Sequence, residues 1–146
     1  MINSATFLSD IILFIRTTLR TNLTDPLSRS GTNFVFTSFP KENTVYPLVT
    51  IKGTNIKTTK LGMQSETSLV DISLEVQVYA RNVKEADNLT QEIINDLKNA
   101  QFGTGSTTVE EIYGFNLNSC VPIEELNNNM TIHRRVMDFS YKAILT

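Results

Sequence analysis

The 146-residue chain holds one histidine, one cysteine and no tryptophan. One Cys and one His are too few for a Cys/His zinc site, which wants four protein ligands when structural and usually three when catalytic. A lone cysteine closes no internal disulfide, so nothing marks the chain as a stapled secreted module. Charge is sparse as well: 19% of residues are ionic, with 13 basic against 15 acidic side chains and a formal net charge of −2. That balance supplies no global positive field to drive phosphate-backbone binding by counterion release, and generic nucleic-acid binding is disfavoured. Long apolar runs are also missing. The uninterrupted stretch Ile11-Ile12-Leu13-Phe14-Ile15 falls far short of the roughly 20 residues a bilayer span needs. No basic residue precedes it, Asp10 adjoins it, and Arg16 and Arg20 follow without a small-residue cleavage pattern, so it does not read as a signal peptide. An intracellular protein with no membrane partner is the expectation.

What the chain does have is 40% hydrophobic residues, enough to bury one core and hardly two. A single domain over residues 1–146 is expected, with a surface rich in Asn and Thr. Residues Ser4 to Arg20 read as a helix, because Phe7, Leu8, Ile11, Ile12, Ile15 and Leu19 recur at three- and four-residue spacing. The turn formers between Asn22 and Asn33 end it. Short extended segments follow at Asn33 to Thr37 and Tyr46 to Lys52, the second opened by Pro47 where a strand tolerates proline. The polar stretch 53–68 reads as a loop excursion. Val70, Ile72, Leu74, Val76 and Val78 then alternate with polar neighbours, the signature of a strand with one buried face. Asn82 and Glu85 have capping-box spacing at the start of a second helix carrying Val83, Ala86, Leu89, Ile93, Ile94 and Leu97. After Gly103-Thr104-Gly105-Ser106 come an extended segment from Val109 to Phe115 and a last alternating strand through Met137, Phe139, Tyr141, Ala143 and Leu145. The order α-β-β-β-α-β-β predicts an α+β fold: a mainly antiparallel sheet of four to five strands with both helices on one face.

Candidate chemistry is thin. His133 sits on a strand with Arg134 and Arg135, so His133 and Arg135 should share one face and Arg134 take the other. A general base needs a partner that the sequence does not offer, and His133 reads as a polar strand residue. Cys120 reads as a small buried residue rather than a nucleophile. The pairs Glu110-Glu111 and Glu124-Glu125 split their members between opposite faces of a strand, and read as solvated surface. Gly103-Thr104-Gly105-Ser106 lacks the Lys-Ser/Thr ending of a phosphate loop and follows a helix instead of opening one. No catalytic residue, metal site or cofactor is expected. The local signal that stands out is Lys52, Lys57 and Lys60, with no acid until Glu66: a solvated loop is the commoner reading of such a cluster, and phosphate or an acidic partner the functional one.

Four features together resemble the tail terminator, or tail-completion, proteins of long-tailed phages and related viruses. They are the N-terminal amphipathic helix, the Tyr46-Pro47-Leu48-Val49-Thr50-Ile51 strand, and Val76-Gln77-Val78-Tyr79-Ala80-Arg81 leading into the Lys84-Glu85-Ala86-Asp87 helix. The closing strand Arg134-Arg135-Val136-Met137-Asp138-Phe139-Ser140-Tyr141 completes the set. The resemblance implies a structural virion subunit, assembled in the host cytoplasm, that forms a homo-oligomeric and usually hexameric ring on the head-proximal end of the tail tube. Its implied partners are tail tube protein, a neck or head completion protein, sheath protein, and genomic DNA passing through the lumen without sequence-specific binding. Lys52, Lys57, Lys60, Arg134 and Arg135 are the expected partner or lumen contacts. Three other readings are a neighbouring head-tail adaptor or stopper, a small ligand-binding module with a pocket between sheet and helices, and a hydrolase or transferase pairing Cys120 with His133.

Overall fold

In a computed structural model, the described residues are 7–28, 34–40, 45–62, 68–100, 113–127 and 129–145. Helix α1 spans Phe7–Asn22 and buries Ile11, Ile15 and Leu19, which follow one another at four-residue spacing. It ends two residues beyond the expected Arg20. Strand β1, Val35–Phe36, is the remnant of the segment predicted over 33–37. Arg20 secures it: Nε and Nη2 donate to the Val35 carbonyl at 3.0 and 2.7 Å. Arg20 thus ties the last turns of α1 to the sheet. Its pKa lies below the ordinary arginine value because of burial, with Arg16 adding repulsion.

Strand β2 covers Leu48–Lys60 and follows a cis Tyr46–Pro47 bond. Strand β3 covers Ser68–Ala80. The expected loop excursion at 53–68 is therefore corrected: β2 continues through Lys60, paired with β3 as far as Lys60↔Ser68, across a bulge between Gly53 and Asn55. Both faces of this arm are mostly exposed, so no apolar alternation marks it as a strand; cross-strand hydrogen bonding to β3 makes it one.

Helix α2, Val83–Ala100, begins as the capping spacing predicts, with the Glu85 amide donating to Asn82 Oδ1 at 2.9 Å. The Glu85 carboxylate reaches one residue farther back than a standard capping box, accepting from the Arg81 amide at 3.1 Å. Strand β4 is Tyr113–Asn127 and β5 is Met130–Leu145. The segment expected at 109–115 runs on well past Phe115, to Asn127; residues 101–112, which include Gly103 to Ser106, Glu110-Glu111 and the first part of that segment, lie outside the described residues. Asn127 pairs with Met130, and Asn129 holds a left-handed φ of 64°, the backbone a tight hairpin asks for and Asn tolerates.

The sheet order is β1-β2-β3-β5-β4, antiparallel throughout except for the parallel β1–β2 edge pair. An α+β fold with a five-stranded, mostly antiparallel sheet is what the element order predicted. Ile11, Ile15 and Leu19 of α1 and Ala86, Leu89, Ile93 and Leu97 of α2 share one core with Val49, Ile51, Val70, Ile72, Leu74, Val76, Val78, Met137, Phe139, Tyr141 and Ala143. Both helices cover this one face. Buried apolar area at about 25 cal/mol per Å² makes it the dominant stabilising feature.

Candidate functional site

Because side chains alternate along a strand, the register assigns each sheet residue to the helix face or the open face. Transverse rows of the open face can be read directly. Leu48, Tyr79, Arg134 and Ile123 form one; Thr50, Gln77, Val136 and Val121 the next; Lys52, Glu75, Asp138 and Ser119 a third. Beyond the bulge, Lys57, Asp71 and Lys142 align. Directly opposed residues on one face have Cβ atoms about 5 Å apart, so Lys52 has Glu75 as its cross-strand neighbour and Lys57 has Asp71. Two of the three lysines that lack an acid along the chain therefore find one across the sheet. Lys60 opposes Ser68.

Arg134 and Arg135 separate as the alternation predicted. Arg134 lies on the open face with its guanidinium carbon 4.9 Å from the centre of the Tyr79 ring, and it bonds Gln77 and, at 3.1 Å, Glu125 Oε2. Tyr79 is held from another side by Phe39, ring centroids 5.1 Å apart and edge-on, and donates to Gln77 Oε1 at 2.8 Å. Stacking and bonds together fix the guanidinium, so Arg134 is a positioned cation rather than a waving one. Arg135, on the helix face, reaches Asp87 Oδ1 of α2 at 3.1 Å and is only 12% exposed. The five expected contact residues therefore do not converge: Lys52 and Lys57 share the open face with Arg134, Lys60 lies toward the hairpin tip, and Arg135 braces β5 against α2.

Open-face charges balance. Lys52, Lys57, Lys142 and Arg134 are matched by Glu75, Asp71, Asp138 and Glu125, assigned by register and by the Arg134–Glu125 contact.

Cys120 is exposed on β4, correcting the expectation of a buried residue. It opposes Met137, whereas His133 opposes Glu124, four positions along the same strand. At about 3.3 Å per residue that is some 13 Å, too far for a thiol–imidazole pair. Burial by its surroundings raises the thiol pKa, outweighing the Arg135 charge that lowers it. His133 Nδ1 stands 3.5 Å from Glu124 Oε1 and makes no hydrogen bond. A cleft of about 380 Å³ at the start of α2 is lined by Thr24, Pro26, Asn82, Lys84, Glu85, Asn88, Leu89 and Glu92. Two pairs of its lining residues are bonded to each other: Asn82 Oδ1 accepts from the Glu85 amide, and Glu92 accepts from the Thr24 amide at 3.1 Å. Among the described residues no cluster of His, Cys, Asp and Glu is placed to hold a metal, and no helix is long and apolar enough to cross a membrane.

Sequence reasoning missed the outer half of β4. From Asn118 to Leu126 every residue is exposed, including Val121 at 48%, Ile123 at 38% and Leu126 at 74%. The available signal was Asn127-Asn128-Asn129, a hairpin turn between two extended stretches. No protein-family model matches the chain, and no curated protein matches it in sequence.

Proposed function

We propose that this protein is a structural subunit of a virus tail, a ring-forming terminator that caps the head-proximal end of the tail tube and joins it to the neck. The observation that carries the reading is the open sheet face, where cations and carboxylates alternate and cancel. A surface of this kind gives a passing nucleic acid neither a sustained positive track nor a repulsive wall. Strong phosphate contacts would hold the polymer through counterion release and slow its transit, and a fixed negative surface would obstruct it. A lumen wall needs hydrogen-bonding groups without net charge, as in the row of Ser73, Ser140 and Asn116. The helices stand on the other face, away from such a lumen, and can support the sheet from outside.

A ring subunit also needs a rigid body and protruding contact segments. Here the body is the two-helix layer on the sheet, and the β2–β3 arm and the outer part of β4 are the exposed extensions. The test is co-expression with the tube-forming protein encoded in the same genome, followed by negative-stain imaging. The expected result is rings on one end of tubes whose length is limited. Tubes of unchanged length with no bound ring would refute the proposal.

A further inference from the structure

Both long edges of the sheet lack a strand partner among the described residues. On one side, β1 covers only Val49 and Thr50 of β2, so the edge from Ile51 to Lys60 is open. On the other, all of β4 lies outermost. A soluble monomer normally blunts such edges, because unpaired amides and carbonyls template another strand. β4 is blunted only in part. Its bulges lie between Tyr113 and Ser119, and Pro122 removes at most one donor, while Val121, Ile123 and Leu126 stay exposed on the part that follows. Apolar side chains on an outer strand are a surface waiting for cover.

We propose that the cover is a second copy of this chain, with β4 of one subunit pairing along the open β2 edge of the next. The two edges carry opposite charge. Exposed Lys52, Lys57 and Lys60 line β2, whereas Glu124 and Glu125, 67% and 43% exposed, lie on β4. Behind each edge stands the opposite sign: Glu75 and Asp71 behind Lys52 and Lys57, and Arg134 beside Glu125 at 3.1 Å. Joining β4 to β2 therefore extends an alternation already present inside the sheet. Strand direction agrees as well. Three successive antiparallel pairings make β2 and β4 antiparallel to each other, so a sheet continued into the next subunit meets its β2 in the antiparallel sense. The contact is heterologous, the class that closes into rings when its rotation allows. The inference names the subunit interface of the ring proposed above and rests on that reading.

The test uses the full chain. Isotope-labelled and unlabelled protein are mixed, treated with a carbodiimide that joins carboxylates to amines at zero length, and mapped by mass spectrometry. Links from Glu124 or Glu125 of one copy to Lys52, Lys57 or Lys60 of the other are expected. In parallel, Lys52→Glu with Lys57→Glu, and Glu124→Lys with Glu125→Lys, should each weaken self-association at least tenfold by light scattering, and an equimolar mixture of the two variants should recover it. Should either variant lose its native circular dichroism, the wild-type link map decides alone. Oligomers whose links map elsewhere, or that survive both charge reversals, overturn the edge pairing and leave the ring reading standing. A chain that stays monomeric overturns the pairing, and the ring reading falls with it only if tube capping also fails.

Discussion

Replacing Glu85 by alanine removes a carboxylate that is 8% exposed at the start of α2 and accepts three hydrogen bonds from Arg81: the amide at 3.1 Å, Nε at 3.2 Å and Nη2 at 2.6 Å. The backbone bond acts as a helix-start cap, worth about 1 kcal/mol. A carboxylate in the first turn adds about 0.5 kcal/mol through the helix dipole. The ion pair adds little more, about 0.5 kcal/mol, because the Arg81 side chain is 39% exposed and water screens it. The expected loss is about 2 kcal/mol, or roughly 8 °C in Tm at about 4 °C per kcal/mol for a domain of this size. Glu85→Gln keeps an acceptor for the amide and should lose about half as much. Arg81→Ala completes a double-mutant cycle, read by thermal and urea unfolding, with an expected coupling near 0.5 kcal/mol. A Glu85→Ala loss under about 1 kcal/mol, or a coupling that accounts for the whole loss, would refute the assignment of this carboxylate as mainly a backbone cap.

Asp96 has an Oδ2 atom that is buried and unbonded, and burial followed by repulsion from Glu92 raises its pKa. A carboxyl whose folded pKa is raised contributes stability below its unfolded pKa, near 3.9, and loses it as pH rises through the folded value. Asp96→Asn should therefore raise Tm at pH 7, by an increment that shrinks as pH falls below the carboxylate range; an increment that grows in acid would contradict this. Tyr141 is buried, donates its hydroxyl to the Leu97 carbonyl at 3.2 Å, and has its phenol pushed far above the ordinary value by burial. Tyr141→Phe should cost about 1 kcal/mol while leaving the alkaline phenolate absorbance of the folded protein unchanged, because the wild-type group ionises only once the fold opens. A smaller phenolate signal in the variant below its unfolding pH would count against that.

Where one face of an element is buried, local sequence suffices to identify it. Val70, Ile72, Leu74, Val76 and Val78 alternate with polar neighbours because the helices cover only the face that these five present, and Ala86, Leu89, Ile93 and Leu97 recur because α2 lies on that same core. β4 defeats this reading for a definite reason. Register shifts at Tyr113/Asn116 and Leu117/Ser119 change the phase of the strand. Phe115 packs with Phe139 and Tyr141 of the core, and Leu117 opposes Phe139, whereas Val121 and Ile123 align with open-face Val136 and Arg134. All four are odd-numbered, so period-two counting finds one strand face where there are two. The lysines pose the same difficulty in charge. Glu75 and Asp71 neutralise Lys52 and Lys57 from the next strand, and the chain distance between them carries no sign of it.

The near-zero net charge therefore describes a pattern rather than an absence of electrostatics. Lysines stand on one sheet edge and glutamates on the other, with Glu75 and Asp71 behind Lys52 and Lys57 and Arg134 beside Glu125. Two β2 edges brought together would oppose lysine to lysine, and two β4 edges glutamate to glutamate, arrangements that like-charge cross-strand contacts disfavour. Only the unlike pairing places opposite charges side by side. Two-fold dimers built on either edge are thereby disfavoured, and the pairing that remains gives every subunit one donor edge and one acceptor edge. An assembly with that property has direction: it closes into a ring where the rotation at each contact allows, and otherwise extends as an open filament.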